Sequence, residues 1–169
     1  MEPFEMAKEF HKTFNPQQPD KPTAFTKTKA LHRAGFKVEE LVELLYAASS
    51  EDEEEFLQLV DKLHEAMEEA KEKVLSKSSA KEVEPLVAQV DALADLLYFT
   101  YGSFVLLGVD PKPIMEIVHR ANMGKLFPDG KPHYDPKTNK VLKPANWEKD
   151  FAPEAKIKEE LLRQTKNSK

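Results

Sequence analysis

Apolar residues recur at helical spacing along most of this chain. Leu31, Leu41 and Leu45 belong to one such stripe, which predicts a helix from Thr26 to about Ala48. Stripes of the same period, bounded by capping residues and prolines, predict five more helices. The whole pattern predicts the all-α fold class, with further helices at about residues 2–14, 51–75, 82–107, 111–123 and 153–166.

Polar and proline-rich segments separate these helices. Asn15–Pro22 is a proline-rich loop, and Lys77–Ala80 is a polar break. Residues 124–152 contain two turn signals and predict an ordered loop with a small hairpin. A loop of this length in a compact domain is typical of a functional segment. With 169 residues we expect one domain, whose helical core covers about 26–123, followed by the loop and a terminal helix over 153–166.

Charge and composition narrow the function classes. The net charge of -5 disfavours a protein that binds nucleic acid through its phosphates. The absence of cysteine excludes disulfides, thiolate metal sites and a cysteine nucleophile. The first nine residues lack the apolar stretch of a signal peptide, and no apolar run approaches the ~20 residues that span a bilayer. We therefore expect a cytoplasmic protein without membrane or nucleic-acid partners.

Three glutamates lie close together on the second predicted helix. Glu39 and Glu43 are four residues apart, and Glu40 and Glu43 are three apart, so all three project from one side. Like charges at this spacing repel each other unless a cation lies between them. The pattern is either a solvated acidic patch or part of a metal site.

Two aspartates interrupt the fourth predicted helix, which is apolar nearly all round and is therefore expected to be central. Asp91 and Asp95 are also four residues apart, and aspartate is almost never fully buried unless it is paired. The chain places no matching pair of Arg or Lys beside them. A hard divalent cation shared with the glutamates would satisfy both clusters, because Mg²⁺ prefers oxygen ligands.

The two acidic clusters, about fifty residues apart, resemble the motifs of the all-α nucleotide pyrophosphohydrolase superfamily, which includes MazG-like and phosphoribosyl-ATP pyrophosphohydrolase-like proteins. The segments 91–102 and 107–110 and the motifs His119–Lys125 and Asp129–Pro132 are similar to the second branch. The resemblance implies an antiparallel helical bundle, a homodimer or homotetramer, and hydrolysis of a nucleotide between its α- and β-phosphates. The products would be a monophosphate and pyrophosphate.

The resemblance also implies roles for individual residues. Glu40, Glu43 and Asp95 match metal ligands for Mg²⁺, which Mn²⁺ could replace, and Glu39 matches the glutamate that activates water. Ala92 stands where the family has a further glutamate, and Asp91 is the candidate to substitute for it. The candidate substrate-binding residues, cations and an amide in and after the fifth helix, are Arg120, Asn122, Lys125, Lys140 and Lys143.

Two other interpretations remain open. Asp61-x-x-His64 and Glu116-x-x-His119 have the spacing found in di-iron carboxylate bundles. The departure at Ala92 is also compatible with a helical bundle that binds a nucleotide or a partner without catalysis.

Overall fold

The computed structural model describes residues 1–77 and 83–167, and these ranges confirm the all-α class. They contain no strand, but an isolated antiparallel bridge joins Tyr134 to Val141, in the loop where a small hairpin is predicted. The described helices are α1 (Pro3–Phe14), α2 (Lys27–Ala48), α3 (Glu53–Lys77), α4 (Pro85–Leu107), α5 (Pro111–Met123), α6 (Trp147–Asp150) and α7 (Glu154–Asn167).

Side-chain caps set the helix starts that the sequence predicts. The Thr26 hydroxyl accepts a hydrogen bond from Lys29 N, and the Asp110 carboxylate accepts one from Lys112 N. α3 begins slightly later than predicted because Asp52 caps it, accepting a hydrogen bond from Glu55 N. The predicted polar break beyond Lys77 and the predicted start of the fourth helix lie outside the described residues. The short helix α6 is absent from the prediction.

The contacts divide the chain into two compact units. The first contains Met1–Lys21 and Ala94–Lys169, so it holds α1, α5, α6, α7 and the end of α4. In this unit α5 packs against both α1 and α7. Its buried apolar residues are Met6, Phe14, Ile114, Ala121 and Trp147.

Two aromatic residues attach the segment around α6 to the end of α5. The Trp147 indole N–H donates a buried hydrogen bond of 2.7 Å to the Ala121 carbonyl. Phe151 lies so close to Gly124 that a Cβ at this glycine would be 2.3 Å from its ring. Position 124 therefore requires glycine for steric reasons, although its φ of -65° is ordinary.

The second unit, Pro22–Leu93, contains α2, α3 and the start of α4. The rings of Tyr46 and Phe56 meet edge to face where α2 packs against α3. The Gln89 side chain binds both the N–H and the carbonyl of Phe25. Among the described residues of this unit only Ser49 is buried, so its apolar side chains have little protein around them.

Helix α4 departs from the prediction that it is central, because none of its residues is buried. Tyr98 is 77 % exposed and Leu106 is 90 % exposed. By length and hydropathy α4 could cross a membrane, which corrects the expectation that no apolar segment reaches that length. The helical period correctly predicted that this segment is a helix, but α4 is not buried within one chain.

We predict that Gly124→Ala destabilises the protein by about 1–3 kcal/mol, because the new methyl group must displace the Phe151 ring. Urea unfolding followed by circular dichroism measures the change. Gly35→Ala is the matched control, since no atom lies within 4 Å of the added Cβ and alanine favours a helix by about 1 kcal/mol. Equal stability of Gly124→Ala and the wild type would contradict the packing argument.

Candidate functional site

The three glutamates of α2 are exposed and lie on consecutive turns of one helix. Glu40 and Glu43 have no hydrogen-bond or ion-pair partner among residues 1–77 and 83–167. Two carboxylates three residues apart, both in water and neither neutralised by a described cation, can take a cation from solution.

Asp91 and Asp95 lie one turn apart on α4, and both are exposed. Neither carboxylate has a hydrogen-bond or ion-pair partner in the described part of the chain. Both carboxylates lie on a helix whose other residues are mostly apolar, and Leu96 directly follows Asp95. The simplest alternative is that these aspartates stabilise the fold through a hydrogen bond to a neighbouring helix. No such hydrogen bond occurs among the described residues.

The donor chemistry of these residues fits a hard divalent cation, because carboxylate oxygens are the ligands that Mg²⁺ prefers. Within the ranges that the structure describes, however, no three His, Asp or Glu side chains come close enough together to hold a metal ion. The structure thus provides donors of suitable chemistry on both α2 and α4.

Basic residues precede the glutamates on α2, a feature that periodicity alone does not reveal. Lys37 donates a 3.2 Å hydrogen bond to the Arg33 carbonyl, and its ammonium is partly buried. Burial first, and then the nearby Arg33 guanidinium, lower the pKa of Lys37 below its ordinary value. This lysine therefore loses its proton more readily than a surface lysine.

The structure places the predicted substrate-binding residues of α5 on two different cavities. Arg120 lines a cavity of about 390 Å³, and its guanidinium has no partner among the residues described. Asn122 lines a smaller cavity of about 180 Å³ between α1 and α5. Its side-chain carbonyl accepts a 2.7 Å hydrogen bond from the Lys125 ammonium. Arg120 and Asn122 therefore do not share one pocket.

Lys140 and Lys143 lie in the loop between α5 and α6. The Lys143 ammonium is 3.7 Å from the centre of the Trp147 ring, a cation–π contact that holds the lysine against the protein. The carbonyl of Lys140 accepts a hydrogen bond from Asp135 N, beside the bridge from Tyr134 to Val141. Lys143 therefore has a structural partner as well as a charge.

The Asp129 carboxylate, in the loop between α5 and α6, accepts hydrogen bonds within its own turn. Asp129 accepts hydrogen bonds from His133 and from Lys131 N, and these lower its pKa. The His133 ring stacks on Phe127 with centroids 4.0 Å apart. Because the carboxylate of Asp129 is bonded inside the turn, it has fewer lone pairs free to bind a ligand.

Lys156, Asp150 and Phe151 line the larger cavity with Arg120, and sequence reasoning missed all three. They lie about thirty residues from Arg120, at α6 and the start of α7, and no motif or period connects them to it. Tertiary packing brings these segments together, through Phe151 against Gly124 and the Trp147 hydrogen bond to the Ala121 carbonyl.

The proposed acid-x-x-His motif of α5 has a partner on α1. The His119 ring lies 3.0 Å from a carboxylate oxygen of Glu9, and its side chain is mostly buried. This pairing links α1 to α5 and accounts for His119 without a metal ligand role.

Comparison with known proteins adds two findings. The family model for phosphoribosyl-ATP pyrophosphohydrolase matches residues 7–122. A similar crystal structure is that of a candidate NTP pyrophosphohydrolase from Exiguobacterium sp. 255-15, whose sequence is 40% identical to this one. The match covers 100% of this chain and 99% of that chain, with a TM-score of 0.87. No curated protein matches the chain significantly.

We predict that the turn at Asp135 loses its hydrogen bonds only in strong acid. Hydrogen bonds from Thr138 N, Lys137 N and the Thr138 hydroxyl lower the pKa of this aspartate below 3.8. For a lowered carboxyl pKa, the stabilisation is complete above the unfolded value and is lost as the pH falls through the folded value.

NMR spectra recorded against pH measure this titration. The amide signals of Lys137 and Thr138 should shift with a midpoint below 3.8, and Asp135→Ala should abolish that transition. Asp20→Ala, in another loop, is the control. A midpoint at or above 3.8 in the wild type would show that these hydrogen bonds do not form in solution.

Proposed function

The chain belongs to the phosphoribosyl-ATP pyrophosphohydrolase family, and we propose that it hydrolyses a nucleoside triphosphate between the α- and β-phosphates with the help of Mg²⁺. Its membership makes it a pyrophosphohydrolase, and the 40% identical neighbour carries the NTP description. The observation behind the proposal is the set of exposed carboxylates on α2 and α4, four of which lack a described partner. Nucleoside triphosphates are anionic, so an acidic site needs a cation to bind them.

We assign Glu40, Glu43, Asp91 and Asp95 as the ligands of Mg²⁺, which Mn²⁺ could replace. Their oxygens suit both ions, and all four are exposed to solvent. A bound Mg²⁺ would neutralise charge on the phosphate oxygens and make water easier to deprotonate. Asp91 supplies the carboxylate that Ala92 lacks, from the preceding position on the helix.

Glu39 is the proposed general base. Its carboxylate would accept a proton from the water that attacks the α-phosphorus, and the oxygen–phosphorus bond to pyrophosphate would break. Glu39 lies on the same exposed stretch of α2 as Glu40 and Glu43, so it stands beside the proposed metal ligands. A positioned base of this kind contributes ~10²–10⁴-fold to the rate.

The basic residues of α5 and the following loop are the proposed substrate contacts: Arg120, Asn122, Lys125, Lys140 and Lys143. Arg120 is the strongest member, because its guanidinium is exposed and has no described partner. A planar guanidinium binds phosphate oxygens through two parallel hydrogen bonds. Lys125 and Lys143 already contact Asn122 and Trp147, so they would exchange those contacts for substrate.

We expect Glu39→Gln to reduce kcat for pyrophosphate release by ~10²–10⁴-fold, while the protein still binds Mg²⁺. The assay screens ribo- and deoxyribonucleoside triphosphates with saturating Mg²⁺, and calorimetry follows metal binding. Glu72→Gln, an exposed glutamate on α3, is the matched control and should keep wild-type turnover. Chelation with EDTA should stop the reaction, and added Mn²⁺ should restore it.

Two results would count against these assignments. Wild-type turnover in Glu39→Gln would remove Glu39 from the role of base. Full activity in EDTA would remove the metal from the mechanism.

We also propose that the protein is a homodimer or homotetramer in the cytoplasm, assembled through α4. Every residue of α4 is at least partly exposed within one chain, and Leu106 is 90 % exposed. An interface between copies of the chain would remove this apolar surface from water. A membrane span is the less favourable way to cover α4, since each of Asp91 and Asp95 would cost about 3 kcal/mol near the bilayer centre.

We predict that Leu106→Asp converts the oligomer to monomers. Leu106 is 90 % exposed, so aspartate is harmless in the isolated chain but places a charge inside the proposed interface. Light scattering after size exclusion measures the mass, and Lys158→Asp on α7 is the surface control. A wild-type protein that is monomeric at high micromolar concentration would refute the proposal.

A further inference from the structure

The cavity lined by Arg120 and Lys156 is built entirely from the unit that contains α5, α6 and α7. Its volume, about 390 Å³, lies within the ~300–1,000 Å³ range of small-molecule sites. It shares no residue with the carboxylates of α2 and α4. Its lining therefore has a ligand chemistry of its own.

One part of the lining is cationic. The Arg120 guanidinium is exposed and has no partner among the described residues. The Lys156 ammonium donates one hydrogen bond of 3.2 Å to the Asp150 carbonyl, which leaves two of its donors for a ligand. The Asp150 carboxylate accepts a hydrogen bond from the Asn146 amide. Two cations face one carboxylate, so the lining carries a net positive charge.

The remaining lining is apolar. Met123 and Leu126 are partly exposed, and so is the aromatic ring of Phe151. The Phe151 ring packs against Gly124, in the space that the side chain of any other residue at position 124 would occupy. An aromatic ring beside a methionine is suited to contact with a flat apolar group.

From this lining we propose that the cavity binds a small phosphomonoester with a flat ring, namely a nucleoside monophosphate. Arg120 and Lys156 would hold the phosphate, because both donate hydrogen bonds to anionic oxygens. Phe151, Met123 and Leu126 would contact the base. The proposal deepens the proposed function and rests on it in one respect: a nucleoside monophosphate is the product of that reaction.

Titration of the full-length protein with each nucleoside 5′-monophosphate, followed by amide NMR in EDTA, tests the proposal. Chelation prevents the acidic residues from holding phosphate through a metal. The expected shifts include the amides of Gly124, Phe151 and Lys156. Inorganic phosphate and ribose 5-phosphate are separate probes, and both should bind more weakly because they lack the ring.

Variants identify the groups that bind. Arg120→Gln and Lys156→Gln should each lower the affinity for the monophosphate by about tenfold, which is the effect of losing one hydrogen bond to a charged group. Lys158→Gln, on the same helix as Lys156, is the matched control and should bind normally. Affinity should also fall as salt is added, because the cations are exposed.

Three results would overturn the proposal: no binding of any monophosphate, shifts confined to other segments, or unchanged affinity in both variants. Equal affinity for inorganic phosphate and monophosphates would remove the ring-binding part. A separate assay of pyrophosphate release distinguishes the proposed reaction from the proposed binding of monophosphate at the cavity. Binding at the cavity without any hydrolysis would defeat the proposed reaction alone, and hydrolysis without binding at the cavity would defeat this inference alone.

Discussion

The packing of two aromatic side chains against the last turn of α5 holds one half of this molecule together. Trp147 donates to the Ala121 carbonyl, and Phe151 lies against the backbone of Gly124. Both contacts tie the segment around α6 to a helix that also packs against α1. The cavity beside Arg120 exists because these contacts bring distant segments together, so the stability of the unit and its binding chemistry depend on the same residues.

A different constraint governs the other half. Helix α4 is apolar on nearly every side and has no buried residue within one chain. Its two aspartates have no side-chain partner among residues 1–77 and 83–167. Apolar surface of that size is costly in water, and so are charges removed from water. Association of chains would relieve the first cost, and a shared cation would relieve the second. Both proposals about α4 therefore arise from one physical conflict in its sequence.

Helical periodicity predicted every long helix of the described chain, because the 3.6-residue repeat is a local property. The cap at Asp110 could also be predicted from the sequence, because a capping side chain bonds to a backbone N–H within three residues. Helix α6 was missed because Trp147–Asp150 is too short to show a period. The burial expected for α4 was wrong for one chain, since an apolar pattern does not specify which molecule covers it.

The sequence by itself determined the all-α class, the positions of the carboxylates on α2 and α4, and the family resemblance that the comparisons confirmed. These are properties of neighbours a few residues apart or of short motifs. Only the tertiary structure separated Arg120 from Asn122 and joined Arg120 to Lys156. The physical reason is that a contact between segments about thirty residues apart depends on how whole helices pack, and side-chain spacing along one helix carries no record of it.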